Sequence, residues 1–137
     1  MARRKSRELA FILLFEQSFD GGVMEDVIER AQEAREIDPD PFACSLAKGT
    51  AAHITELDEQ IDRLATNWRG NRLSKVSRAL LRLALYEMQY VDETPVSVAI
   101  NEAVELAKKY GDDGESGFIN GILGTASREQ GSAGETT

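Results

Sequence analysis

Residues 74–91 read SKVSRALLRLALYEMQYV. Wound at 3.6 residues per turn, Val76, Leu80, Leu83, Ala84 and Val91 fall on one face, and Leu81, Leu85 and Met88 widen it. Lys75, Arg78, Arg82 and Gln89 make the only consistently polar edge. A helix apolar around most of its circumference belongs in the middle of a domain. This stretch is therefore expected as the central helix, with the other helices packed on it. Glu87 breaks the pattern, because it projects into the apolar face between Leu83 and Val91. A carboxylate there needs donors from neighbouring helices, and Asn101 and Asn120 are candidates.

The same periodicity recurs on both sides. Residues 4–19 form a first helix, with Leu9, Ile12, Leu13 and Glu16 on one side. Arg4, Arg7, Phe11 and Phe15 line another, and Asp20-Gly21-Gly22 ends it. Residues 23–37 predict a second helix with Val27, Ile28, Ala31 and Ala34 inward. After the break at 38–41, Asp40 reads as an N-cap and Pro41 as the first helical residue of a long helix over 42–68, which Gly49 kinks or divides. A turn is expected at 69–71 and a short link at 92–95. A helix over 96–110 carries Val96, Ile100, Ala103, Val104 and Ala107 inward. A glycine-bearing acidic loop at 111–114 leads to a last helix over 117–128, capped by Ser116, with Ile119, Ile122, Leu123 and Ala126 inside. No strand alternation or repeat is visible. The expectation is an all-α bundle of six or seven helices occupying residues 1–128, followed by a flexible polar tail, 129–137.

Composition agrees with one ordinary globular domain: 137 residues, 42% hydrophobic and 29% charged. No apolar run reaches the ~20 residues a membrane-spanning helix needs. The basic N-terminus lacks a signal peptide's apolar region, so a cytoplasmic location is expected. The single cysteine, Cys44, excludes an internal disulfide and fits a reducing compartment. The single histidine, His53, excludes His-rich zinc sites and is read as structural or surface.

The net charge of −8 argues against indiscriminate nucleic-acid binding, but the charge is segregated. Acids crowd residues 20–40. Bases cluster at Arg3, Arg4, Lys5 and Arg7, and again from Arg63 through Arg69, Arg72, Lys75 and Arg78 to Arg82. A local basic site on an otherwise polyanion-repelling chain is the consequence. Glycine-rich phosphate loops, metal-ligand sets and nucleophile elbows are absent. Asp112, Asp113 and Glu115 are carboxylates read as a solvated loop, and no catalytic residue, metal or cofactor is expected. The basic start of the first helix leads into Phe11 and Phe15, and Phe118 sits on the first turn of the last helix. Guanidiniums on phosphates beside rings on bases are the ordinary chemistry of single-stranded RNA recognition.

Four stretches together resemble the NusB family of bacterial transcription antitermination factors. They are RRKSRELAFILLF at 3–15, LSKVSRALLRLALYE at 73–87, PVSVAINEAVELAKKYG at 95–111 and FINGILG at 118–124. The INEAVELAK and F-I-N-G-I-L elements are specific, whereas the helical leucines are not. The resemblance implies two roughly perpendicular three-helix units and no enzymatic activity. It implies binding to boxA-type single-stranded RNA of ribosomal-RNA leader transcripts, through Arg3, Arg4, Lys5, Arg7 and Phe118. It also implies a heterodimer with NusE, a small-subunit ribosomal protein, within an antitermination complex on RNA polymerase. The NusE contact maps to Phe15, Phe19, Ser77 and Arg78. Self-association into a homodimer occurs in some relatives.

Two positions depart from the family pattern at that contact. Phe15 stands where tyrosine is common, and Ser77 where an acid is common, so polar details of the NusE contact change here. Gly117 stands where a basic residue occurs. Two other readings remain beside the antitermination factor: an accessory RNA-binding subunit of an RNA-modifying enzyme, and a protein-interaction scaffold using the acidic segment at 20–40.

Overall fold

A computed structural model describes residues 3–34, 38–66, 68 and 73–135. The described residues form seven helices and no strand: α1 (Arg3–Asp20), α2 (Met24–Glu33), α3 (Pro41–Ala52), α4 (Ile54–Ala65), α5 (Lys75–Tyr90), α6 (Val96–Tyr110) and α7 (Glu115–Glu135). Helices α1, α2 and α3 pack on one another, as do α5, α6 and α7. Helix α5 joins the two groups, touching α1, α3, α4, α6 and α7. Leu80, Leu81 and Leu85 are sealed from solvent, so the expected central helix is central. Burying that much aliphatic surface is what holds the bundle together.

Local signals explain the boundaries. Asp40 accepts a hydrogen bond from the Ala43 N–H at 2.8 Å, with Pro41 behind it. Ser74 caps α5 by accepting from the Ser77 N–H at 2.9 Å. Gly21 and Gly22 take φ of 71° and 84° to turn the chain after α1. The long helix expected over 42–68 is divided, but at His53 rather than at Gly49. Gly49 stays helical for a packing reason: a Cβ there would lie 2.1 Å from the Tyr86 hydroxyl. Helix α2 stops at Glu33, and residues 35–37, expected within it, lie outside the described residues, as does the expected turn at 69–71. Helix α7 starts at Glu115, before the expected Ser116 cap, and continues to Glu135, past the expected end near Arg128.

Candidate nucleic-acid interface

The first turn of α1 raises three cations into solvent: Arg3, Arg4 and Lys5. The Arg3 guanidinium lies 4.0 Å over the centre of the Phe42 ring on α3, a cation–π contact that fixes its direction. The Arg4 side chain is 70% exposed, yet its fork grips Glu102 of α6, with Nε 3.2 Å from both oxygens and Nη2 2.9 Å from Oε2. Lys5 stands 3.9 Å from Glu8. Beside them Ser6 turns inward and donates to Asp40 at 2.6 Å, tying α1 to the cap of α3. That hydroxyl and the Ala43 N–H hold the Asp40 carboxyl below its ordinary pKa.

Arg7, one turn on, is not part of this surface. It is buried, and its Nε and Nη2 donate to the equally buried Glu87 at 2.7–2.9 Å. Thr94 donates to the same carboxylate at 2.8 Å. The carboxylate predicted to need donors thus finds them on α1 and on the α5–α6 link, not in Asn101 or Asn120. Phe118 is also inside: it is 7% exposed and meets Trp68 edge-on at 5.3 Å. Trp68 lies against Gly121, where a Cβ would come within 2.3 Å of the ring. The FINGILG motif therefore builds a seat for the single tryptophan. Among the described residues α6 packs against both α1 and α7, which make no extensive contact with each other.

Along the groove between α1 and α6, the outward cations meet matching carboxylates. Glu8 accepts from Lys109 and, at 2.6 Å, from the Tyr110 hydroxyl, and these donors lower its pKa. Lys108 pairs with Glu105 at 3.3 Å. In the basic run expected from Arg63 to Arg82, Arg63, Arg78 and Arg82 are paired with acids as well. Arg63 pairs with Glu129, and Arg78 with Asp58 and Asp62 at 2.9–3.0 Å. Arg82 grips Asp58 at 2.8 Å. Burial raises the Asp58 pKa, but these guanidiniums outweigh it and leave the carboxyl lowered. Arg69 and Arg72 lie outside the described residues.

The far end of α1 is different. Phe15 is half-buried and Phe19 is 59% exposed, the two rings edge-on at 4.9 Å. Lys75 reaches over Phe19 at 4.9 Å and donates to the Ser18 carbonyl. Val23, just past the turn, is also exposed. Ser77 is not part of this patch's open surface, and Arg78 is partly exposed but engaged with Asp58 and Asp62. Ser77 is buried and donates at 2.6 Å to Glu115, which also accepts from Ser74 and the Asp112 N–H. Burial raises the Glu115 pKa, but these donors leave it lowered overall, so this acid is not the solvated loop residue expected. Sequence reasoning missed Phe42, Glu102, Lys109 and Val23, whose roles arise from helices that meet only in space. Val23 alone carried a signal, an apolar residue directly after a diglycine turn. No group of ligating side chains among the described residues is arranged to hold a metal, and no described helix is long and apolar enough to cross a membrane.

The sequence profile of the NusB family matches residues 4–128. The transcription antitermination protein NusB of Bacillus subtilis strain 168 is 43% identical over 123 residues, spanning 90% of this chain and 92% of its own. That of Oleidesulfovibrio alaskensis is 42% identical over 138 residues, spanning 93% and 88%. Among solved structures, T. maritima NusB superposes with a TM-score of 0.79 at 34% identity, covering 94% of this chain and 92% of that one. A crystal structure of the antitermination factors NusB and NusE in complex with double-stranded RNA gives 0.77 at 26%, covering 91% and 96%. With its fold, its motifs and a profile spanning nearly every described helix in agreement, this chain belongs to the NusB family.

Proposed function

We propose that the chain is a transcription antitermination factor that works by binding, not catalysis. It takes boxA-type single-stranded RNA of ribosomal-RNA leader transcripts together with NusE, and serves in the cytoplasm as an adaptor to RNA polymerase. The observation that carries this is the division of labour along α1. Its first turn lifts Arg3, Arg4 and Lys5 into solvent, and about 22 Å further along the axis it presents Phe19. A polyanion and an apolar protein surface can thus be held by one rigid rod at once. The solved complex of NusB and NusE relatives with double-stranded RNA supports NusE and RNA as partners.

In this scheme Arg3, Arg4 and Lys5 contact phosphates, and Phe15 and Phe19 contact NusE. Arg7 and Phe118 keep α1 and Trp68 in place. Replacing Arg3, Arg4 and Lys5 with alanine lowers the slope of log K against log salt, by roughly 0.7 for each single-strand phosphate that the variant no longer neutralises. A triple variant that retains the wild-type slope and affinity sinks the RNA assignment. Binding of RNA to the preformed heterodimer is expected to be tighter than to the chain alone, and NusE binding to gain by the same factor. Equal affinities in the two titrations reduce NusE to a bystander.

A further inference from the structure

The groove between α1 and α6 contains a charge arrangement that the proposed function does not by itself require. Arg4, 70% exposed, spends its whole fork on Glu102, whose side chain is only 10% exposed. Glu102 has a second cation behind it, the buried Arg7, with Nη1 4.0 Å from Oε1. Lys5 repeats the design: its carboxylate, Glu8, is already held from the other side by Lys109 and Tyr110. Arg4 and Lys5 are therefore each paired with an acid that has a further partner when they leave.

A carboxylate and a phosphate offer a guanidinium the same two-oxygen edge. We infer that Glu102 is a displaceable stand-in for an RNA phosphate: the Arg4 fork exchanges it for the backbone when RNA enters the groove, while Arg7, bound to Glu87 and 4.0 Å from Glu102, offsets part of the charge left behind. This rests on the RNA-binding reading above and adds a regulator to that site. The exchange sets a threshold on every polyanion. It keeps the basic turn quiet until an RNA with further contacts arrives, which suits a chain with a net charge of −8. Phosphate contacts carry no sequence information, so the threshold is the same for all RNAs.

The test is a double-mutant cycle on binding of a boxA-type RNA and a scrambled RNA of equal length, at fixed salt. Glu102→Gln keeps the side chain's shape and removes its charge, and is expected to tighten both RNAs by about two- to five-fold. In an Arg4→Ala background the same change is expected to bring no gain. A gain that persists without Arg4 overturns the inference, because the acid then acts only through its long-range field. An unchanged affinity in Glu102→Gln, with Arg4→Ala weakening both RNAs, overturns it too while leaving the RNA site standing. If Arg4→Ala changes nothing for either RNA, the RNA assignment of this turn falls with it. Glu102→Asp is the companion variant should glutamine disturb the fold. It keeps a charge facing Arg7 but withdraws it from Arg4, and a smaller gain in both RNAs is expected; no gain counts against the exchange.

Discussion

Arg4 and Arg7 sit one turn apart on the same helix, and each grips a carboxylate through its fork. They differ in surroundings. The Arg7–Glu87 pair is cut off from water, with Thr94 completing the carboxylate's shell. The Arg4–Glu102 pair has one member in solvent. In water, attraction between the charges is nearly cancelled by hydration and screening, so an exposed pair contributes little to stability and is free to exchange. In the interior the two charges cannot separate without stranding one another, so the buried pair acts as a lock. One residue type at neighbouring positions thus does two jobs, and the depth of α1 in the bundle decides which.

The largest effect that tests this contrast is expected from Arg7→Ala. It leaves Glu87 buried without its cation, at a cost of ~3–5 kcal/mol, read as a drop in denaturation midpoint. Replacing both partners, as Arg7→Met with Glu87→Leu, is expected to recover most of the loss, since the desolvated charges go together. A double variant as unstable as the single one means that the site needs the ions for shape rather than for mutual neutralisation.

Phe118→Ala comes next. The ring is buried against Trp68, so truncation is expected to cost ~3 kcal/mol in a thermal or denaturant melt. A variant with wild-type stability but weakened RNA binding instead restores Phe118 to the nucleic-acid surface. Thr94→Val removes one hydroxyl donor from the Glu87 carboxylate while keeping the shape, for a loss of ~1.5–3 kcal/mol. At the small end, Arg4→Ala is expected to lower the melting midpoint less than any of these, because Arg4 stands in solvent even though Glu102 is shielded; a loss as large as that of Arg7→Ala erases the contrast.

Acid titration sharpens the same comparison. Lys109 and Tyr110 hold Glu8 below its ordinary pKa of 4.5. A depressed carboxyl stabilises the folded state above that ordinary value, and its contribution is lost as the pH falls through the lower folded-state pKa. Glu8→Gln is therefore expected to flatten the fall in stability below about pH 4.5, and to leave the neutral-pH curve nearly parallel to wild type. An acid limb unchanged in Glu8→Gln assigns that loss to other carboxylates, such as Asp58.

Periodicity alone determined much about this protein. The leucine pattern of 80–88 made α5 central, Asp40-Pro41 and Gly21-Gly22 marked ends of helices, and the basic start of α1 marked a candidate site. Those are local properties, set by 3.6-residue geometry and by which residues can cap or turn a chain. Local properties do not carry the rotation of one helix against another. The line Arg4, Arg7, Phe11, Phe15 was legible as a line, but packing on α3, α5 and α6 sank its middle and left Arg4 outside. Glu87 was legible as a carboxylate in need of donors, while its donor, Arg7, is 80 residues away in the chain. Helix division at His53, the seat of Trp68 on Gly121 and the Glu102 grip on Arg4 were likewise decided only by tertiary structure. Each depends on which side chain occupies a space between helices, and that is a property of the packed bundle rather than of any one stretch of sequence.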